Sequence, residues 1–320
     1  MAKILVIAGP TASGKTRMGA ALAQRLNGEV ISADSMQIYR RMNIGTAKPT
    51  AEEMAGIPHH MLDAADPEEN YSVARYVREA VPIAEALLAR GKLPVVVGGT
   101  GLYIDSLVDG RTFAVQATGW RERLTARAEI EGDDALWREL RSIDPEAAER
   151  IPPQDEKRVI RALEVWYETG KTISQHNFET RQRPPRYQAV TIGLAFRDRA
   201  DQRAGIDRRV DEMLARGLAE EVQALLDAGI SSECTAMQAI GYKEMAAVLL
   251  QGGDPAAAAD EIKLRSRQYA KRQLTWFRRN RETHWILWDR EPDFDAGLRD
   301  ALDFLREQGL VPPEGGQMAQ

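Results

Sequence analysis

The sequence predicts an α/β protein in which a parallel sheet is flanked by helices and a helical insertion interrupts the chain. Short apolar runs alternate with helical spacing in residues 1–112 and again in residues 188–312, which is typical of parallel strands joined by helices. Strand-like runs disappear between residues 113 and 187, where helical spacing rich in Arg and Glu takes over. We therefore predict a core of residues 1–112 and 188–312, a helical insertion domain at 113–187, and a frayed tail at 313–320.

The first apolar run, Ile4–Ala8, leads directly into the sequence GPTASGKT at residues 9–16. This fits G-x-x-x-x-G-K-[ST], in which glycines turn backbone N–H groups toward an anion and the following helix adds its positive end. Helical spacing from Met18 to Leu26 supplies that helix. Lys15 would add a full charge, and the Thr16 hydroxyl would bind Mg²⁺. The sequence therefore predicts a P-loop NTPase-like core that holds a polyphosphate, but the loop alone does not define the reaction.

Two further apolar runs end in residues that could carry chemistry. The run from Glu29 ends at Asp34, and Leu93–Val97 ends in Gly98-Gly99-Thr100. Because the carboxyl ends of parallel strands line the ligand crevice, we expect Asp34 to face the phosphate loop. The alternative is that Asp34 is a helix N-cap. Thr100 would supply a neutral hydroxyl at a place where a nucleotide hydrolase more often has an Asp for Mg²⁺.

The later elements complete the alternation of strands and helices. In chain order they are a helix over Tyr71–Arg90, a strand over Ala189–Phe196, one helix over Asp207–Leu226, a basic helix from Asp254 to about Arg279, a strand over Trp285–Trp288 and a helix over Asp295–Gln308. Within the insertion, an apolar helix face that includes Val159 and Leu163 has Lys157, Arg158 and Arg161 beside it. These cations are either a solvated surface or an edge that faces RNA.

The overall charge of −5 argues against a nucleic-acid partner, but the charge is unevenly distributed. Residues 262–281 contain eight basic residues and no acid: Lys263, Arg265, Arg267, Lys271, Arg272, Arg278, Arg279 and Arg281. A local basic stripe of this kind is the electrostatic footprint of RNA binding. No apolar run approaches the roughly 18 residues of a membrane span, the chain enters a strand at once without a signal peptide, and Cys234 is the sole cysteine. We expect a cytoplasmic monomer without a membrane partner.

Eight segments, in order along the chain, resemble the tRNA dimethylallyltransferase (tRNA isopentenyltransferase) family. They are GPTASGKT at 9–16, ISADSMQIY at 31–39, NIGTAKP at 43–49, PHHMLD at 58–63, LPVVVGGTGLY at 93–103, RVIRALEVWYETGK at 158–171, AIGYKE at 239–244 and RQYAKRQLTWFRR at 267–279. The resemblance implies transfer of a dimethylallyl group from dimethylallyl diphosphate to N6 of adenine 37. That base lies beside the anticodon of tRNAs that read codons beginning with U, and diphosphate would be released.

The same resemblance implies roles for individual residues. The donor diphosphate would be held by Thr11, Ala12, Ser13, Gly14, Lys15 and Thr16. Asp34 and Thr100 would be catalytic, with Asp34 as the general base for the adenine amine. Contacts to tRNA would come from Asp34, Ser35, Met36, Gln37, Thr100, Arg121, Lys157, Arg158, Val159, Ile160, Arg161, Gly241, Tyr242 and Lys243. One departure is Gly205, which stands where the family often has an arginine; Arg209, four residues later, is retained.

The residues leave other functions open. In a P-loop small-molecule kinase, Asp34 would deprotonate a hydroxyl, and in an RNA-binding protein without activity the loop would be vestigial. A kinase needs a charged lid for the γ-phosphate but no acid-free basic helix. An enzyme acting on free adenine nucleotides would share the loop and Asp34. The helical insertion and the basic helix are therefore the features that favour a macromolecular acceptor.

Overall fold

The core unit contains a six-stranded parallel sheet in the computed structural model, which describes residues 1–111 and 119–311. The strands are β1 Lys3–Ala8, β2 Gly28–Ser32, β3 His59–His60, β4 Leu93–Gly98, β5 Gln188–Phe196 and β6 His284–Trp288, in the order β3-β2-β4-β1-β5-β6. Residues Ile4–Ala8 of β1 are all buried, as expected for a strand covered on both faces. A continuous apolar run rather than an alternating one therefore forms this central strand.

The register of the sheet brings three strand ends to one edge. Ala8 at the end of β1 pairs with Gly98 at the end of β4, and Ser32 at the end of β2 pairs with Val97. The segments that follow these strands carry the phosphate loop, Asp34 and Thr100. The parallel pairing thus gathers the candidate chemistry at the carboxyl edge of the sheet.

Helices connect the strands of the core unit. They are α1 Lys15–Arg25, α2 Ala51–Met54, α3 Val73–Ala89, α4 Gly101–Asp109, and, after the insertion, α10 Arg199–Ala215, α11 Leu218–Asp227, α12 Tyr242–Leu249, α13 Ala259–Phe277 and α14 Phe294–Glu307. Side-chain caps fix several of their starts: Ser72 accepts from the N–H of Arg75, and Asp198 accepts from that of Ala200. Among the described residues, no helix combines the length and apolarity needed to cross a bilayer.

The chain divides into two compact units, Met1–Val108 with Tyr187–Gln320 and the insertion Asp109–Arg186. The insertion contains α5 Trp120–Glu131, α6 Asp133–Ile143, α7 Pro145–Arg150, α8 Glu156–Thr169 and α9 Ile173–Gln182. Leu124, Leu136, Leu140 and Leu163 are almost fully buried in its own apolar core. The sequence boundary at 112/113 and the tail at 313–320 fall outside the described residues.

Two details of the sequence interpretation differ from the structure. The single helix expected over Asp207–Leu226 is wrong, because the chain breaks at Gly217 between α10 and α11 with φ 93°. The short strand β3 was not expected from the sequence.

Candidate active site

The phosphate loop is held in one shape by its own contacts. Gly9 has φ 148°, and a Cβ there would lie 2.3 Å from the carbonyl oxygen of Leu194, so no side chain fits. The Ser13 hydroxyl donates to the Pro10 carbonyl at 2.8 Å, and Trp288 Nε1 donates to the Ser13 carbonyl at 2.9 Å. The loop is therefore already shaped without a ligand.

Helix α1 begins in this loop without a side-chain cap. Its N-cap is Gly14, and no acidic residue occupies the first turn. The first N–H groups of a helix lack partners within it, so they remain available to an anion. The Thr16 hydroxyl lies partly exposed on the same turn. The start of α1 therefore presents both backbone donors and a hydroxyl to a phosphate group.

Lys15 is a cation without a carboxylate partner among the described residues. Its Nζ donates to the Pro10 carbonyl at 2.6 Å. Burial lowers the pKa of Lys15 most strongly, the charge of Arg209 lowers it further, and Asp34 opposes both, so that it falls to about 7. A bound anion would favour the charged form and raise this pKa.

Arg209 on α10 is a second cation near the loop, and its Nε atom is buried with no hydrogen-bond partner in the described residues. Burial lowers its pKa, and the charge of Asp34 is the largest opposing influence. One turn earlier on α10, Gly205 offers no side chain, and a Cβ there would contact only the Phe196 ring, at 3.9 Å. Arg209 is thus the residue of this helix segment that contributes charge to the site.

Asp34 uses its two carboxylate oxygens differently. Oδ1 accepts hydrogen bonds from the N–H of Met36 at 2.9 Å and of Gln37 at 3.4 Å, so it closes a turn; it is not the N-cap of a helix, because a turn follows Asp34. Within residues 1–111 and 119–311, no side chain or N–H donates to Oδ2. The charge of Asp34 acts on Lys15 and Arg209. One oxygen is therefore structural, and the other remains available beside the phosphate loop.

Thr100 is tied to the segment that carries Asp34. Its N–H donates to the Ala33 carbonyl at 3.2 Å, and its Oγ1 accepts from the N–H of Ser35 at 3.1 Å. The amide of Gln37 is already engaged: Nε2 donates to the carbonyls of Thr46 and Ala47, and Oε1 accepts from Ser32. Thr100 and the 34–37 turn therefore form one hydrogen-bonded group.

Helix α13 supplies two uncharged site residues that the sequence analysis missed. Gln273 accepts from the N–H of Thr11 at 2.9 Å and donates to the Gly99 carbonyl at 2.9 Å. Tyr269 contacts the side chains of Thr100 and Gln273; burial, and then the charge of Asp34, raise the pKa of its phenol to about 12. The signal was present, because these residues form an uncharged face on an otherwise basic helix.

Thr11 itself is largely committed to the protein. Its N–H bonds to Gln273, and its carbonyl accepts from Gln202 Nε2 at 3.0 Å. Thr11 was expected to bind the donor diphosphate. Because its backbone groups are occupied, only its side chain is left for that role.

In the insertion, Arg121 and Arg161 share one buried carboxylate. Arg121 bonds to both oxygens of Glu164, at 3.1 and 2.8 Å, and Arg161 reaches the same side chain at 2.6 Å. Burial works to raise the pKa of Glu164, but the two guanidinium groups outweigh it and hold that pKa below its usual value. The two arginines are thus held in place before any RNA binds.

Three of the side chains expected to contact tRNA are not at the surface. Val159 is 1% exposed and Ile160 is 5% exposed, since helical spacing turns both into the insertion core, whereas Lys157 and Arg158 are exposed. The side chains of Val159 and Ile160 therefore pack in the insertion core, and the tRNA contact expected at these two positions stays a prediction. The side chain of Tyr242 is likewise fully buried and donates to Glu221 Oε1 at 2.5 Å, so the contact expected there also stays a prediction.

Tyr242 and its carboxylate partner instead support the segment around Gly45. Glu221 also accepts from the backbone N–H groups of Asn43, Ile44 and Gly45, at 2.8 to 3.2 Å. The neighbours of Tyr242 differ in exposure: Gly241 is buried, whereas Lys243 is exposed. The 241–243 segment therefore offers one exposed cation.

The basic helix α13 has two electrostatic halves. Toward its start, Lys263 pairs with Asp211 at 2.6 Å, Arg265 with Glu261 at 2.6 Å and Arg267 with Asp207 at 3.2 Å. The later basic residues are exposed and have no carboxylate partner in the described part of the chain: Lys271, Arg272, Arg278, Arg279 and Arg281. The unpaired positive charge is therefore concentrated at the C-terminal end of the helix.

The fold and this site define a P-loop protein with an available carboxylate near the loop. The family model described as IPP transferase matches residues 37–280, and the one described as isopentenyl transferase matches residues 2–69. The chain therefore belongs to the IPP transferase family, which confirms the resemblance stated above.

Named relatives cover nearly the whole chain. A tRNA dimethylallyltransferase of Acetivibrio thermocellus is 45% identical over 97% of this chain and 99% of its own length. One of Halalkalibacterium halodurans is 45% identical over 95% of this chain and 96% of its own length.

Solved structures agree with the fold. The full-length tRNA isopentenylpyrophosphate transferase of Bacillus halodurans has a TM-score of 0.71 at 42% identity, covering 96% of this chain and 97% of that one. A eukaryotic dimethylallyltransferase, solved in snapshots acting on tRNA, has a TM-score of 0.81 at 31% identity, covering 96% and 80%. The expected α/β fold is confirmed.

Proposed function

We propose that this chain transfers the dimethylallyl group of dimethylallyl diphosphate to N6 of adenosine 37 in tRNAs that read codons beginning with U. The observation that carries the proposal is one juxtaposition. Lys15 and Arg209, two cations without carboxylate partners in the described residues, lie in the electrostatic neighbourhood of Asp34, whose Oδ2 is available. Such a site fits a reaction in which an anion leaves while a nearby group gives up a proton.

The cationic side of the site suits the donor. When N6 attacks C1 of the dimethylallyl group, the C1–O bond breaks and diphosphate leaves with the electron pair. The N–H groups at the start of α1, Lys15 and Arg209 would stabilise the negative charge that develops on the diphosphate. Preorganised donors of this kind each contribute a factor of about 10²–10³ in rate.

The loop also fits a magnesium ion, which we propose as the cofactor. In the described residues there is no cluster of three His, Cys, Asp or Glu side chains, so an all-protein cage is not offered. The Thr16 hydroxyl at the start of α1 fits instead a Mg²⁺ held mainly by diphosphate oxygens and water. Bound there, the ion would neutralise charge on the diphosphate.

The acidic side of the site suits the acceptor amine. Adenine N6 is a weak nucleophile, and a carboxylate with an ordinary pKa of about 3.9 does not deprotonate it beforehand. As the N–C bond forms, the nitrogen becomes acidic, and Asp34 Oδ2 accepts its proton. Thr100 and the neutral phenol of Tyr269 lie beside this carboxylate as hydrogen-bonding groups for the extruded base.

Positive groups outside the site suit the RNA backbone. The exposed cations at the C-terminal end of α13, with Lys157 and Arg158 of the insertion, would bind phosphates in a salt-dependent way. We propose that the protein acts in the cytoplasm as a monomer.

The direct test supplies labelled dimethylallyl diphosphate, Mg²⁺ and an anticodon stem-loop with three consecutive adenines that include position 37. We expect label in the RNA and equimolar release of diphosphate. The matched control is the same stem-loop with guanine at position 37, which should stay unlabelled. Consumption of ATP without label in the RNA would instead support a P-loop kinase.

A further inference from the structure

Gln273 is the one side chain of α13 that bonds to both substrate-binding segments of the core. It is 5% exposed, and its amide spans the phosphate loop and the end of β4. Thr11 belongs to the loop proposed to hold the donor. Gly99, on the other side of the amide, directly precedes Thr100 in the acceptor group.

The fit around this amide is tight. A Cβ on Gly99 would lie 2.2 Å from Gln273 Nε2, so the residue before Thr100 must be glycine for the contact to form. One turn further along α13, Trp276 Nε1 donates to Asp105 Oδ2 at 3.0 Å and fixes the helix against α4. Helix α13 is therefore held where the Gln273 amide meets both backbone groups.

The chemistry of the bridge is specific to a primary amide. One side requires an acceptor for the Thr11 N–H, and the other requires a donor for the Gly99 carbonyl. A carboxylate would satisfy the first and repel the second, and an apolar side chain would leave two buried backbone groups unpaired. Simple packing of α13 on the core does not need this pattern.

We propose that Gln273 is a positioning residue that sets the donor loop and the Thr100 segment in register with each other, and so aligns C1 of the donor with the acceptor nitrogen. The inference deepens the proposed function and rests on it. Displacement of reacting groups by about 1 Å can cost roughly 10²-fold in rate. Gln273 would therefore act on the rate of the chemical step more than on the binding of either substrate.

The test compares Gln273→Met, which removes both bonds, with Gln273→Glu, which retains the acceptor for Thr11 and loses the donor for Gly99. Single-turnover rates at saturating substrates should fall about 10²-fold in both variants. Dissociation constants for inorganic pyrophosphate and for the stem-loop should stay within about threefold of wild type. Thermal unfolding checks that each variant is folded. If Gln273→Met does not fold, the near-isosteric Gln273→Glu alone provides the test.

Gln202→Met is the matched control, because Gln202 also bonds to Thr11 but not to Gly99. Its saturated rate should fall much less than that of Gln273→Met, because the bond to Gly99 is intact. The inference is overturned if Gln273→Glu reacts like wild type, if the Gln273 losses lie wholly in pyrophosphate binding, or if Gln202→Met loses rate equally. A wild-type protein that places no label in the RNA would overturn the proposed function itself.

Discussion

The two ends of strand β2 each carry a carboxylate, and the protein treats them in opposite ways. At the amino end, Glu29 is 3% exposed and accepts from Lys92 at 2.6 Å, with His60 at 2.7 Å and Arg90 at 3.4 Å around it. Beyond the carboxyl end, Asp34 has one oxygen in a turn and the other without a donor in the described residues. Glu29 in β2 and Asp34 just after it thus differ in how many hydrogen-bond partners their carboxylate oxygens have.

The cations show the same contrast. Lys92 reaches a carboxylate, whereas Lys15 reaches only a backbone carbonyl, and the Nε of Arg209 has no partner among the described residues. A buried charge without a partner is costly, so the protein gives up stability at this edge of the sheet. Charges that are paired within the protein therefore stabilise the fold, whereas those left without a full set of partners can bind a ligand.

Asp34→Asn tests whether Asp34 acts as the base or only stabilises its turn, and it should have the largest effect. Asp34→Asn keeps an oxygen that can accept from Met36 but removes the base, so we expect turnover to fall about 10³-fold. Pyrophosphate binding and the unfolding temperature should barely change, because the turn is preserved. A large drop in unfolding temperature with normal turnover would show that Asp34, like Glu29, stabilises the fold and does not take part in the reaction. Rate measurements beside thermal unfolding decide between them.

Arg209 tests the cationic half of the contrast. Arg209→Met removes a cation whose Nε is buried and has no partner in the described residues, so turnover should fall about 10²-fold. The free energy of unfolding should stay level or rise, since a desolvated cation has been replaced by an apolar side chain. Denaturant unfolding without ligand checks this. A marked destabilisation would mean that Arg209 holds the fold.

Glu29 should behave in the reverse manner. Glu29→Gln should leave turnover unchanged and cost about 2 kcal/mol of unfolding free energy, because Lys92 loses its buried carboxylate. Hydrogen bonding from Lys92 is the main reason that the pKa of Glu29 falls to about 2. Since this pKa is below the unfolded value, the stabilisation is present above about pH 4.5 and is lost toward pH 2. Acid unfolding of the variant should lack that component.

The smallest expected effect is the pH dependence of donor binding through Lys15. Because the pKa of Lys15 is about 7 without a ligand and an anion raises it, binding should take up a proton above pH 7. Pyrophosphate affinity should then fall by up to about tenfold per pH unit as pH rises from 7. Lys15→Gln is the control, because its profile contains only the titration of pyrophosphate. Identical profiles would show that Lys15 does not gain a proton on binding.

The sequence predicted the fold and the site well where a residue pattern has a single physical explanation. The apolar run of β1 and the glycines and lysine of residues 9–16 predicted the strand and the loop, and strand-end geometry predicted where Asp34 would lie. Gln273 and Tyr269 escaped notice, because a helix is judged first by its charges and these two are neutral.

The resemblance of whole segments also did not separate the roles of the individual residues within a segment. Val159 and Ile160 lie between cations in a stretch that is expected to contact RNA, yet helical geometry turns them inward. Tyr242 likewise sits beside the exposed Lys243 but packs in the core. Matching a stretch of sequence does not say which of its side chains meet solvent, since that depends on the period of the helix.

Glu164 in the insertion would speed the release of a tRNA product if Arg121 and Arg161 bind its phosphates. It engages Arg121 and Arg161, so an incoming phosphate must compete with a carboxylate for these guanidinium groups. If these two arginines bind tRNA as expected, that exchange would weaken their hold on the nucleic acid, and Glu164 would rebind both side chains when the RNA dissociates. A modified tRNA would then be shed readily, which favours repeated cycles over a long-lived complex.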